Sequence, residues 1–138
     1  MAIGGGAAKA VGTLPGVDEN PTTGNTLVFV GANRYDTAAK VAGFFLDSGK
    51  HNGTYFSVGI ATGVGYADAL TGGSYLSAVG GGPLLLTNPA SESPQTSAEL
   101  TKWAGYAPNV LVLGGTTAVS AGVFSSVVSQ VHGVVAAF

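Results

Sequence analysis

The chain has 138 residues, five Lys and Arg against seven Asp and Glu, a formal net charge of −2 and no Cys. There is room for one domain with its own core. A disulfide framework, a thiolate metal site and a Cys nucleophile are excluded, and five scattered cations do not make a duplex-binding face.

Only 9% of the residues are charged and 23 are Gly, where average proteins have roughly 25% charge and about 7% Gly. The surface is therefore built largely from Gly, Ala, Ser and Thr. So weakly charged a surface favours self-association; compositional drift in a GC-rich genome gives the same bias.

No stretch reaches the ~18 consecutive apolar residues of a membrane helix. The start, Met1-Ala2-Ile3-Gly4-Gly5-Gly6, lacks the basic and apolar regions of a secretion signal, so none is expected in the chain as given. Residues 1–25, rich in Gly, Pro, Thr and Asn, read as an N-terminal arm or linker. Residues 26–30 form an apolar, β-branched run ending at Gly31, which predicts a buried strand. Helical periodicity runs over 36–48, with Ala38, Val41, Ala42, Phe45 and Leu46 on one face and Gly49 placed as the C-cap. A second strand is expected over 55–61 and a second helix over 66–79. Gly72-Gly73 in the middle of that helix costs roughly 1 kcal/mol per Gly relative to Ala, so a strand or a partner chain should approach closely there.

Residues 83–87 read as a central parallel strand, apolar on both faces. Pro94 opens a helix at its tolerated first position, and Pro108 blocks its continuation. Residues 109–113 are the next strand, Ser120 caps a last helix to about Gln130, and 133–138 are a tail or final strand. The alternation predicts an α/β fold: a layered βαβ domain over 26–132 with a mainly parallel sheet and helices on both faces. Ligand sites in such sheets lie beyond the strand C-termini, here at 31–34, 62–63, 87–88 and 114–117.

Catalytic and cofactor chemistry finds little purchase. Gly63-Val64-Gly65 sits between a strand and a helix, but Asp68 stands where a dinucleotide loop needs its third Gly and would repel a pyrophosphate. There is no phosphate-binding loop and no nucleophile elbow. His51 and His132 have no metal-ligand neighbours, so no zinc site is expected. Asp36 and Asp68 lie near helix starts, where capping is the expected role; a pair of carboxylates at strand ends is also what glycoside hydrolysis uses. Arg34 either pairs with Asp68 across the sheet edge or faces an anionic ligand beside a helix N-terminus. Gly114-Gly115-Thr116-Thr117 is either a backbone nest for that anion or a tight strand-to-helix turn.

Several segments, in order, resemble one family. Arg34-Tyr35-Asp36-Thr37-Ala38 is similar to the R-Y-x-T-A signature of the type 2 cell-wall-binding repeat. Ile60-Ala61-Thr62-Gly63 with residues 66–70, Pro83-Leu84-Leu85-Leu86-Thr87, and residues 110–115 with Ala118-Val119-Ser120 resemble its other segments. The likeness covers roughly residues 27–131. It implies a Toprim-like α/β fold and a non-enzymatic module that anchors surface proteins of Gram-positive bacteria through anionic wall polymers. Three tandem repeats pack about a pseudo-threefold axis in that family, and this chain holds one. The resemblance therefore predicts a homotrimer with the low-charge helices between subunits. Ile3-Gly4-Gly5 echoes Leu113-Gly114-Gly115, as the tail of a preceding repeat would. Asn33 stands where the family has Asp, which removes one negative charge beside Arg34.

The candidate ligand-binding residues are thus Asn33, Arg34, Tyr35, Thr37, Thr62, Asp68, Gly114, Gly115 and Thr116. No catalytic residue, metal or cofactor is expected, nor is nucleic acid or membrane insertion. The first reading is a wall-polymer binding module on the bacterial cell wall surface. The second is a structural protein of a phage virion, a capsid decoration or tail protein built on a captured repeat, whose partner is a protein lattice.

Overall fold

Parallel strands cannot be joined by tight turns, so each must be followed by a crossover, here a helix. The computed structural model describes residues 1–12, 27–47, 57–106, 109–131 and 135–137. Along them run β1 (Ala2–Ile3), α1 (Gly5–Gly12), β2 (Val28–Phe29), α2 (Arg34–Asp47), β3 (Ser57–Thr62) and α3 (Ala67–Ala78). Then come β4 (Leu84–Thr87), α4 (Pro94–Trp103), a 3-10 turn (Ala104–Tyr106), β5 (Asn109–Leu113), α5 (Ala121–Gln130) and β6 (Val135–Ala137). The main sheet has the order β4-β3-β5-β6, and β1 and β2 form a separate two-stranded sheet. Every pairing is parallel.

Alternation along the strands divides the side chains between two layers. Val58 and Ile60 of β3, Leu85 of β4, and Val110 and Val112 of β5 join Ala39, Ala42 and Leu46 of α2, Leu100 and Trp103 of α4, and Val123 and Val127 of α5 in one core. The opposite face belongs to α3. A β-carbon at Gly59 would meet Leu76 Cδ1 of α3 and Leu84 Cδ1, and one at Gly72 would meet the Leu113 side chain. The close approach that the paired glycines predict is therefore made by β5, at Gly72. Gly73 has open space around its α-carbon.

Helix entries are held by side chains. Ser93 Oγ accepts from the Thr96 N–H and donates to the Leu86 carbonyl, which Thr96 Oγ1 also meets. Ser120 Oγ accepts from the Val123 N–H, as expected of an N-cap. Glu92 Oε2 accepts from Ser126 Oγ and from Gln130 Nε2, strapping the loop before α4 onto α5.

The structure shifts several expected boundaries. Of the strand expected over 26–30, the described residues 27–30 are paired only at Val28–Phe29, because the partner β1 has two residues. The helix expected from 36 begins at Arg34, because Asn33 caps it. Within the stretch read as an arm, residues 2–12 form a strand and a helix, fixed by N–H bonds from Ala2 to Leu27 O and from Gly4 to Phe29 O. Glycine composition hid them: Gly4 has a φ of 87°, which turns the chain from β1 into α1. Of the tail or final strand expected over 133–138, residues 135–137 form the strand β6. The Gly49 cap, His51, Pro108 and His132 lie outside the described residues.

The two central glycines of α3 are expected to behave oppositely. Gly72→Val forces a side chain onto Leu113 and should destabilise by about 1–3 kcal/mol. Gly73→Ala should stabilise by up to about 1 kcal/mol. Urea unfolding of both variants measures the contrast.

Candidate functional site

The loop between β2 and α2 is built almost wholly from its own side chains. Asn33 Oδ1 accepts from the Asp36 N–H at 2.9 Å, and Asp36 Oδ2 accepts from the Ala32 N–H at 2.8 Å. This reciprocal pair resembles a capping box and satisfies donors that a helix start leaves open. Thr37 Oγ1 accepts from the Gly31 N–H and donates to the Asn33 carbonyl. Lys40, one turn on, lies 3.2 Å from Asp36 and donates to the Val30 carbonyl.

These bonds perturb one titration. The Ala32 N–H first, then the Lys40 ammonium, hold the Asp36 carboxyl below its ordinary value of 3.8. A carboxylate whose folded value is depressed contributes stability that is present above the unfolded value and lost as pH falls through the folded one. The wild type should therefore lose this contribution as pH drops below 3.8. Asp36→Asn should flatten that part of the acid limb, which thermal melts between neutral pH and pH 2 would read.

From this loop, Arg34 and Tyr35 reach the end of β3. The Arg34 guanidinium donates to the Gly63 carbonyl at 2.5 Å. The Tyr35 ring lies where a β-carbon of Gly63 would be. The signature dipeptide thus clamps the strand end, and only glycine at 63 leaves room for the ring. Thr62 is buried, and its Oγ1 accepts from the Val64 N–H.

The Arg34–Asp68 ion pair is not formed. Asp68 sits at the start of α3, where its Oδ2 lies 2.5 Å from the β-carbon position of Gly114. Gly114 has a φ of 106°, so a side chain there would be both strained and in collision with Asp68. Asp68, Thr71, Gly72, Tyr75, Leu113 and Gly114 line an open cleft of about 310 Å³. On the other side of Gly114, Val112, Gly115, Thr116, Val119, Phe124 and Ala137 line a more apolar one of about 390 Å³. In the loop between them, the N–H groups of Ala118 and Val119 turn back to the Gly115 carbonyl. Residues 115–119 therefore make a tight turn toward α5, with the N–H groups of Ala118 and Val119 used inside it.

The sequence-predicted residues thus form two neighbouring groups on one sheet edge. Arg34 and Tyr35 reach Gly63, next to Thr62, from a loop that Asn33 and Thr37 brace; Asp68 meets Gly114 at the end of β5, with Gly115 and Thr116 following. Much of their hydrogen-bonding capacity is spent internally. What faces outward is the exposed Arg34, with one of its five N–H donors used by Gly63, the Asp68 carboxylate and the exposed Thr116. Sequence reasoning missed Thr71 and Tyr75. Their spacing of three and seven residues from Asp68 along one helix face is the signal that places them on the same cleft.

The architecture is a parallel α/β layered domain whose motif residues shape and brace a strand-end surface. The chain belongs to the cell wall binding domain 2 (CWB2) family, whose model matches residues 29–124. It is therefore, by class, a cell-wall-binding module. Among solved structures it is similar to Cwp6 from Clostridium difficile, with 25% identity and a TM-score of 0.66 over 88% of this chain and 19% of that one. It shares its fold with Cwp8 from Clostridium difficile, with 20% identity and a TM-score of 0.55 over 80% of this chain and 17% of that one. The chain thus spans about a fifth of the length of these proteins. No curated protein matches it. Among the described residues no helix is long and apolar enough to cross a membrane.

Proposed function

We propose that this chain is a non-enzymatic module that holds an anionic cell-wall polymer at the C-terminal edge of its parallel sheet, on the bacterial cell wall surface. The observation that supports it is Arg34. It is an exposed cation at a strand end, oriented by the Gly63 carbonyl and without a carboxylate partner among the described residues. Lys40 and Lys102, by contrast, lie beside Asp36 and Glu99. A guanidinium on a fixed strand end presents a planar fork to a phosphate or carboxylate. The Asp68 carboxylate and the Thr116 hydroxyl, in the clefts on either side of Gly114, suit the hydroxyls of a sugar.

One cation per copy is a weak hold on a polymer, and repetition along the polymer is the remedy. We propose that the module acts as a homotrimer. Helix α3 supports this, because Tyr66 and Leu70 are 79% and 66% exposed and Tyr75 and Val79 are also exposed. Its only charged residue is Asp68. The family is a cell wall binding domain, so the wall reading is preferred to the virion reading.

Purified Gram-positive cell walls should retain the protein at low salt and release it as salt rises. Arg34→Ala should weaken retention about tenfold or more, since a hydrogen bond to a charged group contributes about 1.5–3 kcal/mol. Binding unaffected by both changes would overturn the polymer site. Sedimentation equilibrium should give a trimer that Leu70→Glu dissociates. A wild-type monomer at every concentration would overturn the trimer and leave the polymer site standing.

A further inference from the structure

Glycine at 115 answers no need inside the molecule. Its φ lies outside the left-handed region, and a β-carbon there would meet nothing within 4 Å. Gly114, one residue earlier, requires glycine on both counts, through its φ of 106° and its contact with Asp68. A glycine that neither conformation nor packing demands leaves the backbone open to close approach from outside. Gly105 is equally open, but it lies at the other end of β5, before Asn109.

The surroundings of Gly115 say what would approach. Gly114 lines both the cleft of about 310 Å³ and the cleft of about 390 Å³, and Gly115 lines the second. The two clefts are thus one furrow that crosses the end of β5. Asp68 and Tyr75 line the first; their seven-residue separation along α3 makes it about 10 Å long. Thr116, Val119 and Phe124 line the second. Each half therefore sets an aromatic ring beside a side-chain oxygen. A sugar ring has the matching character, with C–H faces that pack on an aromatic ring and hydroxyls that donate to a carboxylate. Both volumes lie at the lower end of the range for small-molecule sites, about 300–1,000 Å³.

We propose that two successive neutral sugar units of the wall polymer occupy these clefts, one on each side of Gly114, with the linkage between them passing over Gly115. This rests on the polymer reading above and divides its labour: Arg34 meets the anionic group, and the furrow meets the sugar rings. The two lie on neighbouring strands about 4.8 Å apart, since Ala61 pairs with Leu113 and Gly63 and Gly114 follow directly. The proposal also gives Asp68 a use. It has no ion pair among the described residues, and a bare carboxylate beside an anionic polymer would otherwise only repel it.

Retention of the full-length protein on purified Gram-positive cell walls tests the furrow. Gly115→Gln enters space that is empty in the protein but lies on the polymer's path, and should weaken retention about tenfold, as overfilling a fitted site does, with an unchanged melting temperature. Gly105→Gln, equally open at the far end of β5, should bind as wild type. Asp68→Asn keeps the shape and removes the charge. It should weaken retention about threefold or more, because a carboxylate accepts more strongly than an amide; a merely repelling carboxylate predicts tighter binding instead. Wild-type retention of Gly115→Gln, a loss shared equally by Gly105→Gln, or retention by Asp68→Asn equal to or tighter than wild type each overturns the furrow. Loss with Arg34→Ala would then leave the anionic contact standing. A wild type that walls do not retain overturns both.

Discussion

Parallel pairing of β3 between β4 and β5 is the constraint on which the molecule rests. Thr62 lies opposite Thr87, and Ala61 opposite Leu113, so three strands end together and their connecting loops are collected on one edge. Each loop must then turn the chain into a helix within a few residues. The sequence meets that demand differently at each strand: an Asn–Asp–Thr cage after β2, a glycine under a tyrosine ring after β3, stacked hydroxyls after β4, and a left-handed glycine after β5. The outward chemistry is what those devices leave unused.

With so few charges, the protein spends ionic groups chiefly on local geometry. Asp36 and Lys40 brace one helix start, and Glu92 fastens a loop to α5 through Ser126 and Gln130. Arg34 serves both purposes, because its contact with a backbone carbonyl fixes the side chain without neutralising it. A pairing with Asp68 would have neutralised it. Asn33 in place of a carboxylate keeps the capping bond to the Asp36 N–H without adding a second anion beside the arginine.

The order of elements from residue 28 on was legible from apolar runs punctuated by Gly and Pro, and so were the cap at Ser120, the helix start at Pro94 and the close approach at Gly72. These are local or periodic properties, which a single chain displays directly. The strand and helix at residues 2–12 were not legible, because their existence depends on the distant carbonyls of Leu27 and Phe29 and their glycine content reads as turn. The candidate residues were found by motif, but their division of labour was not. Whether Arg34 meets Asp68 or Gly63 depends on how α3 sits over the sheet, and that is set by Gly59, Gly72, Leu76 and Leu113 acting together. Periodicity marks such a face without giving its height above the strands.

The buried hydroxyls after β4 bear on how the molecule breathes. Ser93 and Thr96 both engage the Leu86 carbonyl, and Thr87 Oγ1 accepts from the Ser93 N–H, while Glu92, one residue earlier, grips α5. These contacts interlock the end of β4 with the start of α4 and with α5, so β4, α4 and α5 should open as one cooperative unit. Their amides would exchange with solvent together and late. Those of α1, which rests on two short strands, would exchange early, so the fold has a slow half and a fast half divided along the chain.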